Sequence, residues 1–327
     1  MDEATCPRDG FPRDVQQEQP ADRTALSRAG ITNLRRIISI LDDGRPQLFY
    51  ASLDLFVDLN PDQAGVHMSR FSEVVEDLAE GLTRAPFADV ESLAGLMARE
   101  VMETQGAVRS EVRISAQTPT MKVTPVTGRP TQQLYTLLGV AASTGEHTRQ
   151  LVGVEVNGLT ACPCAQDLVR SRSRERLLED GFTEEQCDRI LDLVPGASHN
   201  QRGRGTLLVG SGSAVGAEDL VSIVERSMSS EIYELLKRPD ELYVVDKAHR
   251  NPRFVEDAVR AMLRIIIEEN DGLPDDTFLL ARQENFEGIH EHNAFAERFG
   301  LLSEIRPELT AGGYASHHTT LEEWLFG

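Results

Sequence analysis

The chain has 327 residues and carries 33 lysines and arginines against 53 aspartates and glutamates, a net charge of −20. That length can bury a sizeable core, in one large domain or two of about 150 residues each. An acidic chain with only three lysines (Lys122, Lys237, Lys247) offers no clustered positive face, which excludes a nucleic-acid backbone as partner. No stretch approaches about 18 consecutive apolar residues, so no helical membrane span is expected. Met1–Pro20 is acidic and proline-rich, without the apolar centre of a signal peptide. Four cysteines, two of them in Cys162-Pro-Cys164, fit a reducing, cytoplasmic setting better than a disulfide scaffold. Acid in excess and arginine in place of lysine suit a high-salt cytosol, where screening weakens self-repulsion. A salt-loving archaeal source is the compositional guess, an ordinary acidic cytosolic protein the plain alternative.

Residues 1–28 read as a flexible arm, with Cys6 inside it. Residues 29–45 show no clear period. Leu48–Asn60 alternates apolar and polar residues after Ser52 and predicts a strand. A helix follows, with Ser69 as N-cap and Phe71, Val74, Val75, Leu78 and Leu82 as its apolar stripe. A second helix is expected over Asp89–Glu103, with Leu93, Leu96, Met97 and Val101 on one side. Strands are expected at Val108–Ser115, Gln133–Ala142 and Leu151–Leu159. Gln166–Leu193 is charged and helical. A strand at Gly203–Gly210 and helices at Ala217–Lys237 and Pro252–Glu269 come next, Pro252 falling in a first turn. Phe278–Gln283 closes the set as a strand. The order of strands, two helices and strands, then the same again, predicts two α+β units, each an antiparallel sheet with helices on one face.

Cys162-Pro-Cys164 directly follows an apolar run, and His199 arrives later in the polar loop Gly196-Ala-Ser-His-Asn-Gln-Arg202. Thiolate and imidazole are ligands that zinc and ferrous iron accept, and either cysteine could serve. Pro163 stiffens the turn between them. The plain alternative is a pair of buried free thiols beside a strand. Cys187, in the charged helical stretch, reads as structural or incidental. His317 and His318 lie in a polar tail and read as incidental. Gly210-Ser-Gly-Ser-Ala-Val-Gly216 lacks the lysine of a phosphate loop and reads as a turn.

Six phrases stand together in order: Gly65-Val-His-Met-Ser-Arg-Phe71, Cys162-Pro-Cys164, Ser198-His-Asn-Gln-Arg202, Leu236-Lys-Arg-Pro-Asp-Glu241, Asn251-Pro-Arg-Phe-Val-Glu-Asp257 and Glu284-Asn-Phe-Glu-Gly-Ile-His-Glu-His292. Over roughly residues 30–300 the chain resembles the type I-B GTP cyclohydrolases, in particular their archaeal branch. The resemblance implies a tunnelling fold (T-fold) with two tandem units, set here at residues 29–145 and 146–310. A helical insertion at about 166–195 and a tail at 311–327 complete the division. It implies a homotetramer with active sites at subunit interfaces. It also implies a metal-dependent opening of the guanine ring of GTP, with Fe(2+) as the ion and Zn(2+) or Mn(2+) as alternatives. The implied products are formate and 7,8-dihydroneopterin 2′,3′-cyclic phosphate, for folate or tetrahydromethanopterin. Bacterial relatives give the triphosphate instead, and their cysteine turn and histidine loop lie much closer together.

By position in the resemblance, Cys162, His199 and Glu241 are the metal ligands and Cys164 a catalytic neighbour. A Glu241 oxygen would tilt the site towards iron or manganese; as a plain residue it is a solvated carboxylate following a helix. Glu256 would accept guanine N1–H and the 2-amino group together, or else is a first-turn acid favoured by the helix dipole. His290 and His292 alternate with Glu291, so on a strand they would share one side and could shuttle protons. His67 with Arg70, and Arg202 with Arg204, are candidates for the triphosphate, since arginine forks suit phosphate. Two rivals remain. One is a nitrile reductase of the same fold with a cysteine nucleophile; the other is a non-enzymatic T-fold protein with a structural metal.

Overall fold

The computed structural model describes residues 14–42, 44–82, 86–210 and 215–327. Cys6 and residues 211–214 of the glycine-serine turn lie outside them, as does the side chain of Leu82. The chain divides into two compact units. The first holds residues up to Ile114, with Gly139–Gln150 and Phe326; the second holds Ser115–Leu138, Leu151–Leu325 and Gly327. Among the described residues, no helix is long and apolar enough to cross a membrane.

In the first unit β1 (Leu26–Asp42) pairs antiparallel with β2 (Arg45–Leu59). Alternate residues of β2 from Phe49 to Leu59 are buried, as a one-sided strand requires. β1 showed no period in the sequence because its register shifts twice, between Leu26 and Ala29 and between Ile31 and Leu34. Each shift resets which side chains face inward. Asn33 sits at a shift with φ 56°, and its N–H donates to Asp54 Oδ1 at 2.7 Å. The described end of the expected arm is tied down. Ala64 N–H donates to the Glu18 carbonyl (2.8 Å) and Gly65 N–H to that of Gln16 (3.2 Å). Such backbone bonds leave no mark on composition.

Two helices pack on this pair. α1 (Met68–Leu82) starts one residue before Ser69, which therefore lies inside the first turn rather than capping it. α2 (Val90–Gln105) is capped by Asp89, whose Oδ1 accepts the Ser92 N–H at 2.7 Å, and ends at Gly106 in the left-handed region (φ 66°). Phe71, Leu93, Met97 and Val101 are buried with Leu53 and Leu55, while Leu96 is half-buried. The chain continues through β3 (Arg109–Val123), β4 (Pro130–Thr144) and β5 (Thr148–Ala161). Gly139 of β4 is needed for packing: a Cβ there would stand 2.7 Å from Val90 Cγ2.

The second unit holds the Ser115–Val123 part of β3, the Pro130–Leu138 part of β4 and the Leu151–Ala161 part of β5. From β3 the strand order runs β3-β4-β5-β6-β8-β9, where β6 is Asn200–Gly210, β8 is Phe278–Asn285 and β9 is Ala294–Leu301. Between β5 and β6 the charged stretch forms α3 (Pro163–Glu179) and α4 (Glu184–Leu193). Arg174 pairs with both Glu184 and Asp188 to join them, and Cys187 is fully buried on α4. The helix expected to reach Lys237 stops early. α5 (Ala217–Ser227) gives way to a short strand β7 (Ser230–Glu231), paired with β5 at Gly158 and Leu159. α6 (Arg238–Arg250) then begins afresh. Its start is fixed by Asp240, which is fully buried. The carboxylate accepts the Lys237 N–H (3.0 Å), the Val126 and Thr127 N–H groups (2.9 Å each) and the Thr127 hydroxyl (2.6 Å). Burial opposes its ionisation, yet these bonds, led by Thr127, hold it well below the usual carboxylate range.

α7 (Val255–Glu269) starts after Pro252, so that proline precedes the helix instead of opening it. Asp257 Oδ2 accepts the Phe254 N–H at 3.1 Å to close the end. α5 and α7 cover β6 and β8, burying Leu207, Ile223, Met262, Ile266 and Phe278. α8 (Leu302–Ala311) and α9 (Leu321–Phe326) follow. The polar tail is thus pinned: Trp324 lies 5.7 Å from the Phe278 ring and donates its indole N–H to the Asp276 carbonyl at 3.1 Å.

Glu91, in the first turn of α2, carries a buried Oε2 without a hydrogen-bond partner. Burial pushes its pKa from 4.5 up to about 7, against a bond from its own amide and with Asp89 adding to the rise. The helix dipole favours the anion by up to about 1 kcal/mol. A rise of this size corresponds to about 3 kcal/mol, so burial wins. The folded state holds this proton more tightly than the unfolded one, and stability is lost as pH rises from 4.5 through about 7. Glu91→Gln should therefore match the parent in acid and exceed it by about 3 kcal/mol above neutrality. Urea titrations at several pH values would show this, and equal stabilities at high pH would refute it.

Candidate active site

The site grows from one register. β5 and β6 pair antiparallel so that Ala161 stands opposite Asn200. The next pair outward is Cys162 and His199, and the Cys162 N–H donates to the His199 carbonyl at 3.1 Å. The cysteine turn and the histidine loop are therefore adjacent, although α3 and α4 separate them in sequence. Cys162 is the N-cap of α3, with Pro163 in its first turn. Its carbonyl accepts the Gln166 N–H (3.2 Å) and the Ser198 hydroxyl (2.6 Å). Gln166 also spans the loop, donating to the carbonyls of Gly196 (2.9 Å) and His249 (2.6 Å). From the other side Arg253 N–H donates to the Ala161 carbonyl at 3.0 Å. Cys162 is half-buried and Cys164 exposed.

His199 is held by its ring. Nδ1 lies 3.1 Å from Gln201 Oε1, and Gln201 Nε2 donates to Thr160 Oγ1 at 3.1 Å. With Gln201 as acceptor, Nδ1 carries the proton and Nε2 is left with a lone pair to bind or take a cation. Nδ1 is also 3.6 Å from Glu287 Oε2. That carboxylate is 8% exposed and its Oε2 has no hydrogen-bond partner. A buried, unsatisfied carboxylate beside an imidazole favours positive charge nearby. Glu287 was not singled out from the sequence, although it lies three residues before His290. A single glutamate in a loop carries no signal until its burial is known.

His290 and His292 are in the exposed loop between β8 and β9 rather than on a strand. They still share a side, for their rings stack at 5.0 Å, and the His290 ring meets that of His199 edge-on at 6.4 Å. The structure therefore gathers Cys162, His199, His290 and His292 with Glu287. Glu241 is placed differently from the sequence expectation. It is an exposed residue in the first turn of α6 rather than a residue after a helix end, because the preceding helix stops at Ser227. Among the described residues no group of three or more His, Cys, Asp or Glu side chains is close enough to hold a metal ion. The thiol and imidazole fit a metal in donor chemistry and rigidity, as two ligands of a set.

Glu256 is exposed in the first turn of α7. Arg202 is exposed on β6, whereas Arg204 is committed to Glu284 at 2.6 Å and Glu155 at 3.6 Å. Hydrogen bonds from Arg204 and Asn293 hold the Glu284 carboxyl below its ordinary range. His67 and Arg70 belong to the first unit. His67 Nε2 is 3.6 Å from Asp14 Oδ2, and Arg70 donates to the Thr104 carbonyl at 3.2 Å.

These features define a T-fold-like α+β protein with a thiol–imidazole site where two strands end. A hyper-thermostable uricase mutant superposes with a TM-score of 0.50 at 11% identity, covering 89% of this chain and 94% of that one. The uricase of Arthrobacter globiformis gives 0.49 at 11% identity, over 89% of this chain and 96% of its own. The first of these likenesses supports the fold alone. The family model for type I GTP cyclohydrolase folE2 matches residues 13–296. GTP cyclohydrolase MptA of Methanococcus aeolicus is 42% identical over 305 residues, 90% of this chain and 99% of that protein. MptA of Methanothermobacter thermautotrophicus is 42% identical (91% and 96% covered), and that of Methanocaldococcus jannaschii 38% (90% and 97%). The chain belongs to the type I GTP cyclohydrolase folE2 family.

Gln201→Leu would remove the acceptor for His199 and leave the buried Thr160 hydroxyl without its donor. The expected cost is about 1–3 kcal/mol, read as a lower denaturation midpoint, and an unchanged midpoint would show that the Gln201 bridge is idle.

Proposed function

We propose that this chain is a GTP cyclohydrolase of the archaeal kind, which opens the guanine ring, releases formate and forms 7,8-dihydroneopterin 2′,3′-cyclic phosphate. The observation that carries the reading is the pairing of Cys162 and His199 across the Ala161–Asn200 register, with His290 and His292 beside them. Family membership and the two MptA relatives at 42% identity support it. Cys162 and His199 would hold the metal ion, with Glu241 as the carboxylate ligand that the sequence resemblance assigns. Ferrous iron is the ion proposed, and when bound it supplies a polarised water for attack at C8.

The chain's own residues do the rest. With Gln201 Oε1 accepting from the His199 ring at Nδ1, Nε2 would be the atom left to hold the ion. Glu287 adds negative charge behind the ring, which strengthens the imidazole as a donor. His290 and His292, whose rings stack, would move protons as formate leaves and the new ring closes. Cys164, exposed in the first turn of α3, is a second thiol for proton transfer. Glu256 can take the guanine N1–H and 2-amino group together; His67 and Arg70 on the first unit, and separately Arg202 on the second, are the candidates for the phosphates. Two tandem T-fold units, a homotetramer with interface sites and a cytoplasmic setting belong to the same reading.

The test is anaerobic incubation with GTP and ferrous iron at high salt, with mass analysis of the products. The cyclic phosphate is expected; dihydroneopterin triphosphate would move the chain to the bacterial type. No GTP consumption by metal-loaded protein would end the enzyme reading. Cys162→Ala and His199→Ala should each cut turnover at least about a hundredfold and lower the bound metal. Glu287→Gln should cost about 10–100-fold in metal affinity or activity, with the fold intact by circular dichroism.

A further inference from the structure

An open pocket of about 380 Å³ lies in the second unit, between the Asn251–Arg253 turn, one side of α7 and Leu309 of α8. Arg253, Arg260 and Arg264 line it, and Asp257 is the acid among its lining residues. Three guanidiniums in one pocket are notable on a chain whose net charge is −20. Arg260 and Arg264 are four residues apart on a helix, which makes them neighbours, and like charges at that spacing destabilise a helix.

The pairing that offsets them is weak. Arg260 meets Asp257 at 3.4 Å and Arg264 meets Glu268 at 2.6 Å, with the arginine side chains 71% and 52% exposed. Ion pairs that exposed are largely screened. Arg253 donates through Nε to Asn251 Oδ1 at 3.2 Å, which holds the base of the fork, and the residue lines the pocket. The pocket thus takes one guanidinium from the turn and two from α7, four residues apart.

We propose that this pocket is an oligophosphate-binding site, taking a linear chain of two or three phosphate groups. Three guanidiniums lining one pocket suit a chain of tetrahedral anions, since each fork can meet phosphate oxygens in pairs. The volume is within the range of small-molecule sites. No aromatic side chain is among the lining residues while three guanidiniums are, so positive charge is the main thing the pocket offers a ligand. The phosphate chain is therefore what it reads, whether free or as the tail of a nucleotide. Through the Arg253 N–H bond to the Ala161 carbonyl, the pocket adjoins the cysteine turn. The inference stands apart from the cyclohydrolase reading, since neither Arg260 nor Arg264 has a part in that chemistry.

The probe is inorganic triphosphate, titrated calorimetrically into the full chain at low and high salt. The parent protein should bind it, with affinity falling as salt rises. The double variant Arg260→Ala with Arg264→Ala should bind at least about tenfold more weakly. Arg260→Lys with Arg264→Lys, which keeps the charge and loses the forks, should fall between. Both variants change exposed residues and should unfold at the parent's midpoint. Adenosine triphosphate in competition separates the sources: displacement admits nucleotide tails, and its absence restricts the pocket to free oligophosphate. Equal affinity in parent and alanine variant, or no binding by the parent at low salt, would overturn the proposal. A chain that binds triphosphate here yet consumes no GTP would keep this inference and lose the other.

Discussion

Everything at the site depends on one antiparallel ladder step, the pairing of Ala161 with Asn200. It makes the residue after one strand and the residue before the next into neighbours. Cys162 and His199 are then positioned by backbone rather than by side-chain reach, the Cys162 N–H bond being the last rung of the ladder. A slip of one residue would turn every side chain of β6 to the other face and take His199 away from the thiol. The buried strand interior prevents that slip, because Leu207 and Val209 on one strand and Val152, Val154 and Val156 on its neighbour are committed to the core.

Around that step the polar groups are arranged in depth. Gln201 faces both the His199 ring and the Thr160 hydroxyl, so one amide orients the imidazole and satisfies a buried acceptor at once. Gln166 does the same for the loop, tying Gly196 and the end of α6 to the first turn of α3. Asp240 fixes where α6 begins, and with it where Glu241 emerges. The carboxylates most important to shape are thus the ones with several donors each, whereas the many exposed arginine–acid pairs add little apiece.

Where side chains alternate or repeat at helical spacing, the sequence was readable. β2, α2 and α7 lie within a few residues of expectation because a single buried face governs each. β1 was not readable, since two register shifts erase its alternation. The helix break at Ser227 was missed because β7 is only two residues long and held by its pairing with Gly158 and Leu159, a tertiary cause. At the site, Cys162 and His199 stood out as residue types, and a loop brings the His290 and His292 rings together where alternation on a strand would have given them one side. Glu287 was silent, because its importance lies in burial, which no local pattern encodes.

The α3–α4 hairpin has a consequence of its own. α3 buries no residue of its own, and both ends of the excursion are fixed by the step at Cys162 and His199. The entropy of closing such a loop grows only slowly with its length. The distance along the chain between thiol and imidazole is therefore nearly independent of the distance in space. Lineages are free to lengthen, shorten or redecorate this excursion while the chemistry at its base stays where it is. The surface it presents can drift towards new partners or new climates without renegotiating the reaction.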